Sequence, residues 1–182
     1  MDASRAAILR AAKKQLEAGG YRQLTMERLA AESGVTRQTI HNLFGSKSGV
    51  LEGLFDLIAL ESGMERMREV MTSPPGEAQI DRFVHTFCNM WKQNRVLIRR
   101  VHGIAAIEPE FGAVIEARNH RRLIAATRIV QRLDGGAEAT RRAAALAAIT
   151  SFEFFDTLAE SLGSESKAEE TVLSLARRAV SI

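Results

Sequence analysis

Apolar residues recur along this chain at spacings of three and four. Ile8, Leu9, Ala12 and Leu16 follow that rhythm, which puts them on one face of a helix over about 4–18. Gly19-Gly20 supplies a stop, since glycine tolerates a left-handed cap. Thr25 can cap a second helix carrying Met26, Leu29 and Ala30, which Gly34 breaks. Thr36 caps a short third helix to about 43. Gly45-Ser46 interrupts again, and Ser46 caps a longer helix through 71 that carries Val50, Leu51, Leu54, Phe55, Ile58, Met64, Met67 and Met71. Ser73-Pro74-Pro75-Gly76 is the clearest loop. Beyond it the pattern predicts helices at 77–92, 95–106, 109–133, 139–162 and 166–180, with Asp134-Gly135-Gly136 and Gly163-Ser164 between the last three. The expected fold is all-α with about nine helices. A three-helix head over 1–52 precedes a helical body over 53–182.

Composition agrees with a helical globule. Of 182 residues, 46% are hydrophobic, enough for a core, and only three are proline. The net charge of +3 is unevenly spread. Up to Val50, eight cations face four anions, which leaves +4 there and about −1 for the rest. A basic head suits a polyanionic partner, because cations placed at phosphates release counterions. Cys88 is alone, so neither an intramolecular disulfide nor a cysteine metal cluster is expected. Its apolar neighbours predict a buried thiol. Asp2 and Arg5 interrupt any secretory leader, and no run of ~18 apolar residues suggests a membrane span. The expected compartment is the cytoplasm.

The stretch 25–44, TMERLAAESGVTRQTIHNLF, carries the functional signal. Two helices crossing steeply need a small residue where they touch, and Ala30 supplies it. Their turn needs a residue tolerant of positive φ, and Gly34 follows four positions later. Leu29, Val35, Ile40 and Leu43 then lock the second helix onto the first. Arg37, Gln38, Thr39, His41 and Asn42 are left facing outward. Arg can pair bidentately with guanine, and Gln or Asn with adenine. Thr39 can touch a thymine methyl or a phosphate, and Thr25 and Thr36 at the motif's edge are further candidates for DNA contact. Lys47 opens the next helix, where free backbone N–H groups also favour a phosphate. Together these residues predict a helix-turn-helix that binds double-stranded DNA.

The same residues resemble the TetR family over roughly 8–54. Ile8-Leu9-x-Ala11-Ala12 is similar to that family's first helix, and Gly20-Tyr21 with Leu24-Thr25-Met26 to its approach to the motif. Leu29-Ala30-x-x-Ser33-Gly34-Val35-Thr36 resembles its helix and turn. Thr39-Ile40-x-x-x-Phe44-x-Ser46-Lys47 resembles its recognition helix and the start of the next. His41 stands where the family most often has a phosphate-contacting tyrosine, and Ser48-Gly49 replaces a common acidic pair. The resemblance implies a dimeric repressor, released from a palindromic operator by a small ligand.

The body supplies partner and ligand candidates. The 139–162 segment is apolar on nearly every side, so it needs cover all round. With 166–180 it is the expected homodimer surface, as the family pairs its final two helices in a four-helix bundle. Phe83, Phe87, Met90 and Trp91 share one helix face. Ile115, Phe152 and Phe155 can complete an apolar cavity, although such stripes are more often core. His102 or Arg118 could hold an anionic head group there, and Glu153 or Asp156 a cation. The basic run 118–122 is expected to be a solvated or carboxylate-paired face. No cofactor or metal is expected, because the histidines are scattered without tight ligand spacing. Nor is an enzyme, because no nucleophile–base pair or glycine-rich phosphate loop is present at recognisable spacing. A DNA-binding regulator without a small-molecule effector, acting as an activator or with a protein partner, is the alternative.

Overall fold

The computed structural model describes residues 3–180, and every regular element among them is helical. Ten α-helices follow in order: α1 (Ala3–Gly19), α2 (Met26–Ser33), α3 (Arg37–Phe44), α4 (Lys47–Glu61), α5 (Met67–Thr72), α6 (Glu77–Ala105), α7 (Pro109–Leu133), α8 (Ala139–Ile149), α9 (Phe152–Leu162) and α10 (Glu165–Val180). The all-α expectation holds, but two boundaries differ. The helix opened by Lys47 stops at Glu61 rather than 71, because Gly63 takes a left-handed φ of 77° and starts a new turn. The break expected between 92 and 95 is present as a kink inside α6, where Asn94 leaves helical geometry at φ −131°, ψ 21°. The segment expected as one helix over 139–162 breaks at Thr150-Ser151, where Ser151 Oγ accepts from the Phe154 N–H at 3.2 Å and caps α9. No described helix is long and apolar enough to cross a membrane.

Packing divides the chain into two compact units. The first holds the chain up to Glu61 together with Val96–Ile115. Here α1 packs on α2, α3 and α4. Ile8, Ala12, Leu16, Leu29, Ile40, Val50 and Leu54 form a core with no exposed surface. Arg100, late in α6, is a second donor to the Leu16 carbonyl near the end of α1, which also accepts the Gly20 N–H at 3.1 Å. Gly49 has a steric role. A Cβ there would lie 1.9 Å from the Phe44 carbonyl oxygen, so only glycine lets α4 leave α3 so closely.

The second unit holds Ser62–Arg95 and the chain from Glu116 on. Its core contains Phe83, Val84, Cys88, Ile129, Leu146, Phe155 and Val172. Cys88 is buried as expected, and desolvation pushes its thiol up to about 12. Charged clamps tie α6 to the C-terminal helices. Arg95 donates to Asp156 at 2.7 Å and Glu160 at 2.8 Å. Glu169 receives both Lys92 and His85, the latter at 2.7 Å. Burial alone would raise the Glu169 pKa, but those two partners hold it below its ordinary value. Arg122 departs from the solvated alternative, though not from the carboxylate-paired one, expected of 118–122. It turns inward, and its Nε donates to the Ala147 carbonyl at 3.1 Å. Burial there lowers its pKa, against the opposing charge of Glu153.

Gly49→Ala should lower the unfolding free energy by about 1–3 kcal/mol in urea titration, because the overlap with backbone outweighs alanine's helix preference. The Glu169 carboxylate, depressed in the folded state, stabilises the fold above its unfolded pKa near 4.5. That contribution disappears as pH falls through the lower folded value. Glu169→Gln should therefore be less stable than the parent at pH 6, with the difference narrowing as pH falls below 4.5. A gap that does not narrow as pH falls below 4.5 would contradict the clamp.

Candidate nucleic-acid interface

The interface grows from two capped short helices and the turn between them. The extended backbone of Thr25 lets its Oγ1 accept from the Arg28 N–H at 3.2 Å, which starts α2. Gly34 ends that helix at φ 70°, ψ 20°, and its N–H returns to the Ala30 carbonyl at 3.1 Å. Only a residue at ease with positive φ turns the chain so tightly. Thr36 Oγ1 accepts from the Thr39 N–H at 3.1 Å and opens α3. Leu29 and Ile40 are fully buried where the helices meet. Val35 and Leu43, also expected to lock the pair, are only half-buried.

The remaining face of α3 meets solvent. Thr36, Arg37, Gln38, His41 and Asn42 are exposed, while Thr25, Thr39 and Lys47 are half-buried. Met26, Arg37, Gln38, His41, Ser46 and Lys47 line a shallow concavity of about 420 Å³ between α3 and the start of α4. Several of these side chains are already engaged. Arg37 pairs with Glu27 at 2.9 Å, both well exposed. Gln38 Nε2 donates to Asn42 Oδ1 at 2.8 Å, one helical turn on. Ser46 Oγ accepts from the Gly49 N–H at 3.1 Å, so the capping residue of α4 stands just before Lys47.

Three contributors escaped the sequence reading. Arg5 of α1 donates from Nη1 to the Leu43 carbonyl at 3.2 Å, and its guanidinium carbon lies 4.4 Å from the Phe44 ring centroid. A cation at the C-terminal end of α3 also suits the helix dipole. In the sequence Arg5 registered as one of the head's positive charges and as an interruption of any secretory leader. Glu27 gave no signal because helix neighbours, not residues ten apart on different helices, are what spacing reveals. Glu108 lies far along the chain, yet its Oε1 accepts from the Tyr21 hydroxyl at 2.7 Å. The Lys47 ammonium in turn sits 3.5 Å from the centroid of the Tyr21 ring.

The candidate ligand residues lie elsewhere. Phe83, Phe87, Met90, Trp91, Phe152 and Phe155 are buried in the second unit. Phe83 meets Phe87 at 5.1 Å, Phe87 meets Trp91 at 5.9 Å, and Trp91 meets Phe152 at 5.6 Å between ring centroids. Trp91 Nε1 donates to the Thr150 carbonyl at 3.2 Å, at the break between α8 and α9. Ile115 is buried and His102 half-buried, both in the first unit, while Arg118 is half-buried in the second. Asp156, a candidate cation partner, is engaged by Arg95.

Residues 8–54 match the model of the bacterial regulatory proteins of the tetR family. The chain is 30% identical over 112 residues to the HTH-type transcriptional regulator EthR of Mycolicibacterium smegmatis, a match covering 60% of this chain and 51% of that protein. It thus spans about half the length of the curated relative it matches. Solved structures share the fold over nearly the whole chain. A TetR transcription regulator from Haloarcula marismortui superposes with a TM-score of 0.75 at 18% identity, covering 97% of this chain and 96% of that one. A TetR-family transcriptional regulator from Streptomyces coelicolor gives 0.72 at 18% identity, with coverage of 98% and 94%. A protein from Saccharomonospora viridis, solved in complex with choline, gives 0.63 at 17% identity, with 94% of each chain covered.

The α3 cap is directly testable. Thr36→Ala should cost about 1 kcal/mol of stability in urea unfolding, and Thr36→Ser should retain most of it. Equal losses for both would show that the hydroxyl does not cap α3.

Proposed function

We propose that the chain is a TetR-family regulator, on the match of residues 8–54 to that family's model, and that it acts as a homodimeric, sequence-specific repressor, released from a palindromic operator by a small molecule. The observation that carries this reading is the free face of α3. It offers Arg37, Gln38, His41 and Asn42 to solvent beside the Lys47 ammonium at the start of α4. In the major groove Arg37 would read guanine, and Gln38 or Asn42 adenine. Glu27 would hold one edge of the Arg37 guanidinium and leave the other for the base. Thr25, Thr36, Thr39, His41 and Lys47 would fix the register on phosphates. Residues 1–52 would be the DNA-reading domain and 53–182 the domain for ligand and partner.

Partly covered apolar helices support a second copy as partner. On α8, Ala143, Leu146 and Ala147 are buried while Ala144 and Ala148 are exposed. On α9, Phe154 and Leu158 are half-buried and Leu162 is exposed. Self-association of α8 and α9 with α10 would cover these sides and place two recognition helices on a two-fold operator. For the effector, the candidates are Phe83, Phe87, Met90, Trp91, His102, Ile115, Arg118, Phe152 and Phe155. The choline held by the Saccharomonospora viridis protein supports a small-molecule ligand. Such a ligand acts only through a difference in affinity between the DNA-bound and released forms. The ring-on-ring packing of Phe83, Phe87, Trp91 and Phe152 favours the second reading, a regulator with no small effector, because those rings already fill one another's contacts. A DNA-binding role would put the protein in the cytoplasm.

Selection of bound duplexes from a random pool tests the reading, which predicts enrichment of a palindrome. Failure to enrich any sequence would defeat it. On the selected site, Arg37→Ala should cost ~1–3 kcal/mol and relax preference at one base position. Lys47→Ala should weaken all duplexes alike and reduce the salt slope by about 1.

A further inference from the structure

We infer that Glu108 is a positioning residue for the contact between Lys47 and the DNA backbone, acting through the ring of Tyr21. The inference rests on the DNA-binding reading above and deepens it. Glu108 lies between α6 and α7, 87 residues from Tyr21, so no local pattern joins them. The fold brings Tyr21, Lys47 and Glu108 into one unit and stacks them in series.

Each link has a physical purpose. The Tyr21 hydroxyl donates to Glu108, and a donor polarised by a carboxylate leaves its ring richer in electrons. That ring faces the Lys47 ammonium, which it attracts through its quadrupole. Burial, then the hydrogen bond and charge of Glu108, raise the Tyr21 pKa to about 12, so the hydroxyl keeps its donor proton. Burial lowers the Lys47 pKa, and the charge of Glu108 opposes that, helping to keep the ammonium protonated. The lysine lines the concavity beside α3 and is seated before DNA arrives. A seated side chain loses less freedom on meeting a phosphate than a free one.

The sign of one substitution separates this from plain electrostatics. Glu108 is an anion near a site for a polyanion. By Coulomb's law alone, Glu108→Ala should strengthen DNA binding. If Glu108 positions Lys47, the same change should weaken it. Affinities of the full chain would be measured for the selected duplex and for an unrelated one. Glu108→Ala and Tyr21→Phe are each expected to weaken both duplexes about 3–10-fold, and neither to weaken them further once Lys47→Ala is present. Stronger binding by Glu108→Ala would overturn the inference. So would the same weakening in the Lys47→Ala background, since the effect would then come from the fold. A parent chain that binds neither duplex would defeat the DNA reading and this inference together. A parent that binds, with variants that match it, would defeat the inference alone.

Discussion

Helix α3 is eight residues long, and an isolated helix needs about 12–15 residues to be even marginal in water. Its shape is therefore lent by its surroundings. Ile40 anchors its inner face, the Thr36 hydroxyl closes its first turn, and Arg5 takes a carbonyl at its last. Gly49 lets α4 depart against the Phe44 carbonyl without displacing it. These supports come from α1, the α2–α3 turn and α4. A fault in any of them reaches the side chains that α3 presents.

The supports also determine what the outer face can do. Exposed ion pairs contribute only about 0–1 kcal/mol, so the Arg37–Glu27 bridge matters more for orientation than for stability. Lys47 differs, because it is half-buried against an aromatic ring and backed by a carboxylate. One cation is loosely tethered at the surface and the other is seated. This fits a division in which the first adapts to bases and the second marks the backbone.

In the second unit, side chains that capture carbonyls accompany a helix boundary. The turn between α8 and α9 contains neither glycine nor proline. The Thr150 carbonyl receives the Trp91 indole and the Ala147 carbonyl receives Arg122, both from distant helices. Those donors satisfy backbone groups that a helix end leaves open. The aromatic series that includes Trp91 is thus tied to the backbone at that turn. A ligand that entered among those rings would have to displace packed side chains and would press on the same joint.

The sequence by itself determined the helical class, the caps at Thr25, Thr36 and Ser46, the turn at Gly34 and the outward placement of Arg37, Gln38, His41 and Asn42. All of these depend on neighbours within four or five positions, which helical periodicity and cap chemistry encode directly. Tertiary structure alone decided the break at Thr150-Ser151, the inward turn of Arg122, and the meeting of Arg5 with Leu43 and of Tyr21 with Glu108. Those outcomes depend on donors and charges brought from distant parts of the chain. A one-dimensional pattern carries no record of which side chain will arrive at an open carbonyl or an aromatic face.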